Sequence, residues 1–146
     1  MCMSIILPME AIKKIPDKIT AYKVVKKNSD KKAYRPIFFY YPEGYFKEGV
    51  NIANTSSVCI SNTIKRKFLI FPIIESASYN AGYHFWLKKK DAERYKKGID
   101  DPSPIEIIEC EINKEDIIAV RKMPEYTKGI AIVAKKATFP KFKELS

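Results

Sequence analysis

Gly82-Tyr83-His84-Phe85-Trp86-Leu87, followed without a break by Lys88-Lys89-Lys90-Asp91-Ala92-Glu93-Arg94-Tyr95-Lys96-Lys97-Gly98, decides how the rest of the chain is read. It holds the only His and the only Trp of 146 residues. Aromatic and branched side chains at residues 83–87 suit a pleated strand, whose successive side chains point to opposite faces. Tyr83 and Phe85 therefore share one face and His84 takes the other. The charges then change the period. Ala92, Tyr95 and Ile99 fall on one side of a helix over residues 89–97, with Asp91 and Glu93 in its first turn and Lys96 and Lys97 in its last, as the helix dipole favours. Gly98 is expected to end it in the left-handed conformation.

Working outward, residues 19–26 and 34–41 read as a hairpin around the turn residues Asn28, Ser29 and Asp30, with Pro36 marking an edge or a late strand start. Residues 42–54 read as a long connection. Residues 57–61 and 68–74 read as strands, with the basic Lys65-Arg66-Lys67 on a turn between them and a polar turn over residues 75–82. Downstream, residues 105–112 put Ile108, Cys110 and Ile112 on one face and Glu109 and Glu111 on the other. Short strands follow at residues 117–120 and 130–134, the latter apolar on both sides. The expectation is an α+β fold: a mainly antiparallel, aromatic-rich sheet with one short helix at about residues 89–97. Residues 1–18 form an N-terminal arm, residues 19–139 a single domain and residues 140–146 a basic tail.

The length suits one core, and 46% hydrophobic residues place the chain far from the composition of disordered segments. The formal net charge of +10 favours anionic partners. It is unevenly spread, with nine Lys or Arg in residues 13–35 and seven acids in residues 100–116, so self-association through opposite patches is a second expectation. Cys2, Cys59 and Cys110 match neither a disulfide framework nor a zinc site, and neither a metal nor a cofactor is expected. The start lacks the basic region and length of a signal peptide, and no apolar run approaches the roughly 20 residues that span a bilayer. A cytoplasmic protein with no membrane contact is expected.

Tyr79, Tyr83, His84 and Trp86 are the candidate contacts for a base or sugar, and Lys88, Lys90 and Arg94 for phosphate, because ring faces stack on bases and cations neutralise phosphates. The same rings equally suit a sheet core. Lysine outnumbers arginine in the basic clusters, which suits general charge attraction better than bidentate recognition.

Two resemblances bear on these residues. Ser76-Ala77-Ser78, then Gly82-Tyr83-His84-Phe85, then Glu109-Cys110-Glu111 resembles in order and spacing the ADP-ribosyltransferase pattern, with Arg35 as the candidate for that family's first-strand Arg. The resemblance implies an enzyme that uses NAD, with Glu111, and Glu109 beside it, as the catalytic carboxylates. Residues 21–25, Ala81-Gly82-Tyr83-His84-Phe85 with Asp91-Ala92, residues 108–112, 117–120 and 132–136 are similar to small domains carried by phages and other mobile elements. That resemblance implies the fold and a viral accessory or counter-defence role, such as sequestering a nucleotide signal or blocking a host protein. The preferred expectation is noncatalytic binding of an anionic partner, either a nucleotide-like ligand or nucleic acid. The alternatives are the transferase and a protein–protein inhibitor or homo-oligomeric module.

Overall fold

The computed structural model describes residues 5–6, 12–28, 33–36, 45–53, 58–68, 71–80, 82–100, 104–123 and 129–142, with the backbone alone for 5–6, 28, 58–68 and 71–80. Its strands are β1 (Ile5–Ile6), β2 (Lys18–Asn28), β3 (Ala33–Pro36), β4 (Gly49–Ile52), β5 (Val58–Phe68), β6 (Phe71–Asn80) and β7 (Tyr83–Trp86). The helix α1 (Lys89–Lys97) follows, then β8 (Ile105–Asn113), β9 (Ile117–Lys122), β10 (Ile130–Ala134) and β11 (Lys136–Phe139). All eleven strands join one sheet in the order β4-β11-β8-β2-β7-β10-β9-β1-β5-β6, with β3 beside β2. The pairings are antiparallel except β1 with β5. The fold is thus α+β with a mainly antiparallel, aromatic sheet, and most of it is β. Among the described residues no helix is long and apolar enough to cross a membrane.

The two faces of the sheet bury different sets. One face collects Ala21, Val25, Tyr83, Phe85, Ile108, Cys110, Ile112, Ile132 and Phe139, the inward residues of five neighbouring strands. On the other, Val24, Trp86, Ala92 and Ala131 pack together beneath α1, with Tyr22, Tyr95, Ile99, Ile105 and Ile107 around them. The alternation in β8 is as the sequence implies: Ile108, Cys110 and Ile112 are buried while Glu109 and Glu111 are exposed.

Several segments depart from the reading of the sequence. Residues 62–67 lie within β5 rather than on a turn, and a register shift between Ile64 and Arg66 accommodates the extra residue in the pairing with β6. Residues 75–80 continue β6 because their backbone groups are taken up by β5, whatever the side chains. Gly49–Ile52, inside the expected connection, is a strand paired with β11. Ile5–Ile6 of the expected arm slots between β9 and β5. Gly98 ends α1 with φ −83° and ψ −4°, a right-handed conformation, its N–H donating to Tyr95 O at 3.1 Å.

Candidate functional site

The sheet forks at β2. One edge of β2 pairs with β8 from Lys18 to Lys26. The opposite edge is shared: β7 meets it at Tyr22, opposite Trp86, and β3 takes over from Val25 to Asn28. Tyr34 of β3 then pairs with Phe46 through two backbone hydrogen bonds, Tyr34 N to Phe46 O at 3.0 Å and Phe46 N to Tyr34 O at 2.6 Å. This carries the Phe46 ring over Tyr83, edge-on at 5.2 Å, and against Phe139, stacked at 4.8 Å.

Lys23 sits in the fork, on the same face as Ala21 and Val25, and only 8% of it is exposed. Its Nζ donates to His84 O at 2.8 Å. The ammonium lies 5.2 Å from the Phe46 ring centre and 5.1 Å from that of Phe85. No carboxylate among the described residues pairs with it. Four residues on, Lys27 is half-buried with its side chain largely covered, but it has one, Glu106, at 2.6 Å. Burial pulls Lys23 down to about 8, with Cys110 opposing in part. Cation–π attraction is worth about 0.5–2 kcal/mol, whereas removing an ammonium from water costs several, so burial wins. Cys110, diagonal to Lys23 across the β2–β8 ladder, is pushed up to about 12 by burial and stays a thiol. His84 is pulled down to about 3 by burial first and then by Arg121 and Lys23, which keeps the imidazole neutral at pH 7.

The remaining candidates divide into interior and surface. Tyr83 and Trp86 are buried, Trp86 against Tyr95 with ring centres 5.6 Å apart. Both rings are buried, Tyr83 edge-on to Phe46 and Phe139 and Trp86 against Tyr95, so neither presents an exposed face to a base. His84 is half-buried on the opposite side of β7 from Tyr83. The Tyr79 backbone, in β6, pairs with Cys59 of β5; its side chain lies outside the described residues. Lys88, Lys90 and Arg94 are exposed. The structure therefore does not bring the aromatic and cationic candidates onto one surface.

What it does assemble is the outward side of α1. A helix turns about 100° per residue, which places Lys89, Lys90, Glu93, Arg94, Lys96 and Lys97 on one continuous arc, all of them exposed. Ala92, Asp91 and Tyr95 occupy the inward arc. Asp91 is buried and accepts from Arg94 Nη1 at 3.4 Å. Its carboxylate packs on Gly129, where an added Cβ would lie 2.5 Å from Asp91 Cγ and where φ is +103°; glycine is the residue that fits. Asp91 thereby holds the start of α1 against Gly129, just before β10. The exposed arc keeps five cations against Glu93. Lys88 and Lys89 also sit at the positive end of the helix dipole, with no side-chain cap. Of this arc, Lys90 and Arg94 are phosphate candidates from the sequence, with Lys88 at the N-cap just before it; Lys89, Lys96 and Lys97 share the same face.

The transferase-like residues are dispersed. Glu111 is more than half exposed and paired with Lys18 at 3.0 Å. It stands opposite Thr20, while Arg35 stands opposite Lys26, six residues further along β2; at about 3.3 Å per residue that is roughly 20 Å. Ser76 and Ser78 lie on β6, the far end of the strand order from β8. Compared with protein-family models, curated proteins and solved structures, the chain matches none of them.

Proposed function

We propose that the protein binds nucleic acid without catalysis, through the phosphate backbone and the outward face of α1. The observation that carries this is the arc of Lys89, Lys90, Arg94, Lys96 and Lys97, exposed together with Glu93 as the one acid on the arc and with Arg94 also reaching the buried Asp91. Cations held side by side repel one another, and those near the first turn also meet an unfavourable helix dipole, at about 0.3–1 kcal/mol each. A bound polyanion relieves both costs. Of the two anionic ligand classes expected from the sequence, nucleic acid is favoured over a stacked nucleotide, because the Tyr83 and Trp86 rings are engaged in packing. Lysines act as point charges rather than bidentate forks, so recognition is of charge along a backbone and tolerant of sequence.

Fluorescence anisotropy with labelled duplex and single-stranded oligonucleotides tests this, with a mononucleotide competitor alongside. Binding of an oligonucleotide, lost on Lys89→Glu, Lys90→Glu, Lys96→Glu and Lys97→Glu in combination and not displaced by mononucleotide, supports the reading. Binding that survives this substitution places the anion elsewhere on the molecule.

A further inference from the structure

Among the described residues, the sheet has an open edge at β4. Ala53 N donates to Lys135 O at 2.8 Å, which continues the β4–β11 register in which Asn51 faces Ala137 and Ile52 faces Lys136. In an antiparallel ladder, residues alternate between hydrogen-bonding the neighbour and pointing their N–H and C=O away from it. Ala53, Asn51 and Gly49 therefore bond inward to β11, and Val50 and Ile52 turn their backbone groups outward. Those same two residues carry the exposed large hydrophobic side chains of the described surface, 60% and 69% exposed. Natural edges are usually guarded by lysine, proline or a bulge; Gly49–Ile52 contains none, and its register with β11 is unbroken.

We infer that β4 pairs edge to edge with β4 of a second copy, antiparallel about a twofold axis, with Val50 opposite Ile52 of the partner. This is the register that lets both outward residues exchange main-chain hydrogen bonds with their counterparts. It also makes a contiguous strip of β-branched side chains across the junction, a favourable cross-strand pairing. The occupant is a second copy for two reasons. The outward pair Val50 and Ile52 is complementary to itself under a twofold axis, as an isologous contact requires. In a chain of net charge +10, the edge strand itself is neutral: residues 49–53 carry no charge, Lys47 and Glu48 beside them cancel, and the nearest cations across the ladder, Lys135 and Lys136, stand one strand back from the junction. Two copies can approach there without the repulsion met elsewhere on the surface. A junction of one four-residue strand is short, so the dimer is expected to form at micromolar or higher concentration.

Sedimentation velocity over a concentration series, at low and high salt and free of nucleic acid, tests the inference. A monomer–dimer equilibrium is expected that persists at high salt, since backbone hydrogen bonds and apolar contacts are little screened. Val50→Lys with Ile52→Lys should render the chain monomeric at every concentration while its melting temperature stays put, both side chains being solvent-exposed. The register has its own test. Asn51 would face Asn51 of the partner at a Cα separation of about 4.5 Å, within the range of a disulfide. Asn51→Cys in a Cys2→Ser, Cys59→Ser background should give a dimer on a non-reducing gel, and Val50→Cys in that background should not. A monomer at all concentrations, a dimer unchanged by the paired lysines, or crosslinking at Val50 rather than Asn51 would each overturn the inference. None of these outcomes depends on nucleic-acid binding.

Discussion

Lys23 and the lysines of α1 are the same residue type used to opposite ends. In the fork, one ammonium is enclosed by Phe46, Phe85 and the His84 carbonyl, and burial pulls its pKa down to about 8. On α1, five cations stand in water along one arc. The buried charge weakens the fold and is unavailable to any partner; the exposed charges cost the fold little and are presented together. The difference teaches that net charge is informative only after each cation has been placed, because a positive residue in a strand can belong to the core. It also separates stability from binding, so that each can be altered without the other.

Four experiments sharpen or break that separation. The largest effect is expected at the fork. Phe85→Ala removes a ring from the core and from Lys23, and should cost about 3–5 kcal/mol in urea unfolding, against about 0.5 or less for Lys97→Ala on the helix. Equal effects would erase the distinction.

Next comes the pH dependence. Lys23 binds its proton less tightly folded than unfolded. Its penalty is therefore fully present below pH 8 and is lifted as the pH rises from about 8 to 10.5. The Lys23 contribution is up to about 3 kcal/mol at 1.36 kcal/mol per unit, read as the difference between the parent and Lys23→Met because the raised Cys110 thiol works the other way above about pH 9. Lys23→Met should abolish that rise and be more stable than the parent at pH 7, as calorimetry across the window would reveal. His84, also held neutral, works in the same direction on the acid side: its contribution is present above pH 6.5 and lost as the pH falls toward 3.

Third, the fourfold charge reversal on α1 should weaken oligonucleotide binding about 100-fold or more at low salt and leave the unfolding midpoint within a degree or two. Lys23→Met should do the reverse, leaving affinity intact. The smallest effect is expected at Glu111. Its exposed pair with Lys18 is worth about 0–1 kcal/mol, and Glu111→Gln should change stability by no more than that. NAD incubated with the parent chain should be recovered intact; consumption that Glu111→Gln abolishes would favour the transferase reading over noncatalytic binding.

Much of the frame was legible in the residues. The bounds of α1 follow from the switch between two periodicities at Leu87 and Lys88, and the faces of β8 from its strict alternation of Glu with Ile and Cys. The fork was not, since it depends on which strand takes each edge of β2, a long-range choice that local pattern does not encode. Its signal was nonetheless present: Ala21, Lys23 and Val25 occupy one column of a strand, and two buried neighbours imply a buried lysine between them. Residues 75–80 read as a turn because Ser, Asn and Glu favour turns when unpaired, yet β5 supplies the partners that make them strand. Within the candidate site, Lys88, Lys90 and Arg94 were legible as cations. That Tyr83 and Trp86 face different cores was legible from alternation, but what covers each ring was set by Phe46, Phe139 and Tyr95, distant in sequence.

The most direct test of the central claim is the salt dependence of oligonucleotide affinity in the parent chain and in the α1 charge-reversal variant. If α1 neutralises about four phosphates of a duplex, log K should fall against log salt with a slope of about −3.6, at about −0.9 per phosphate. In the variant the slope should approach zero as binding is lost. A parent chain that fails to bind at low salt, or a slope the same in both proteins, would contradict it.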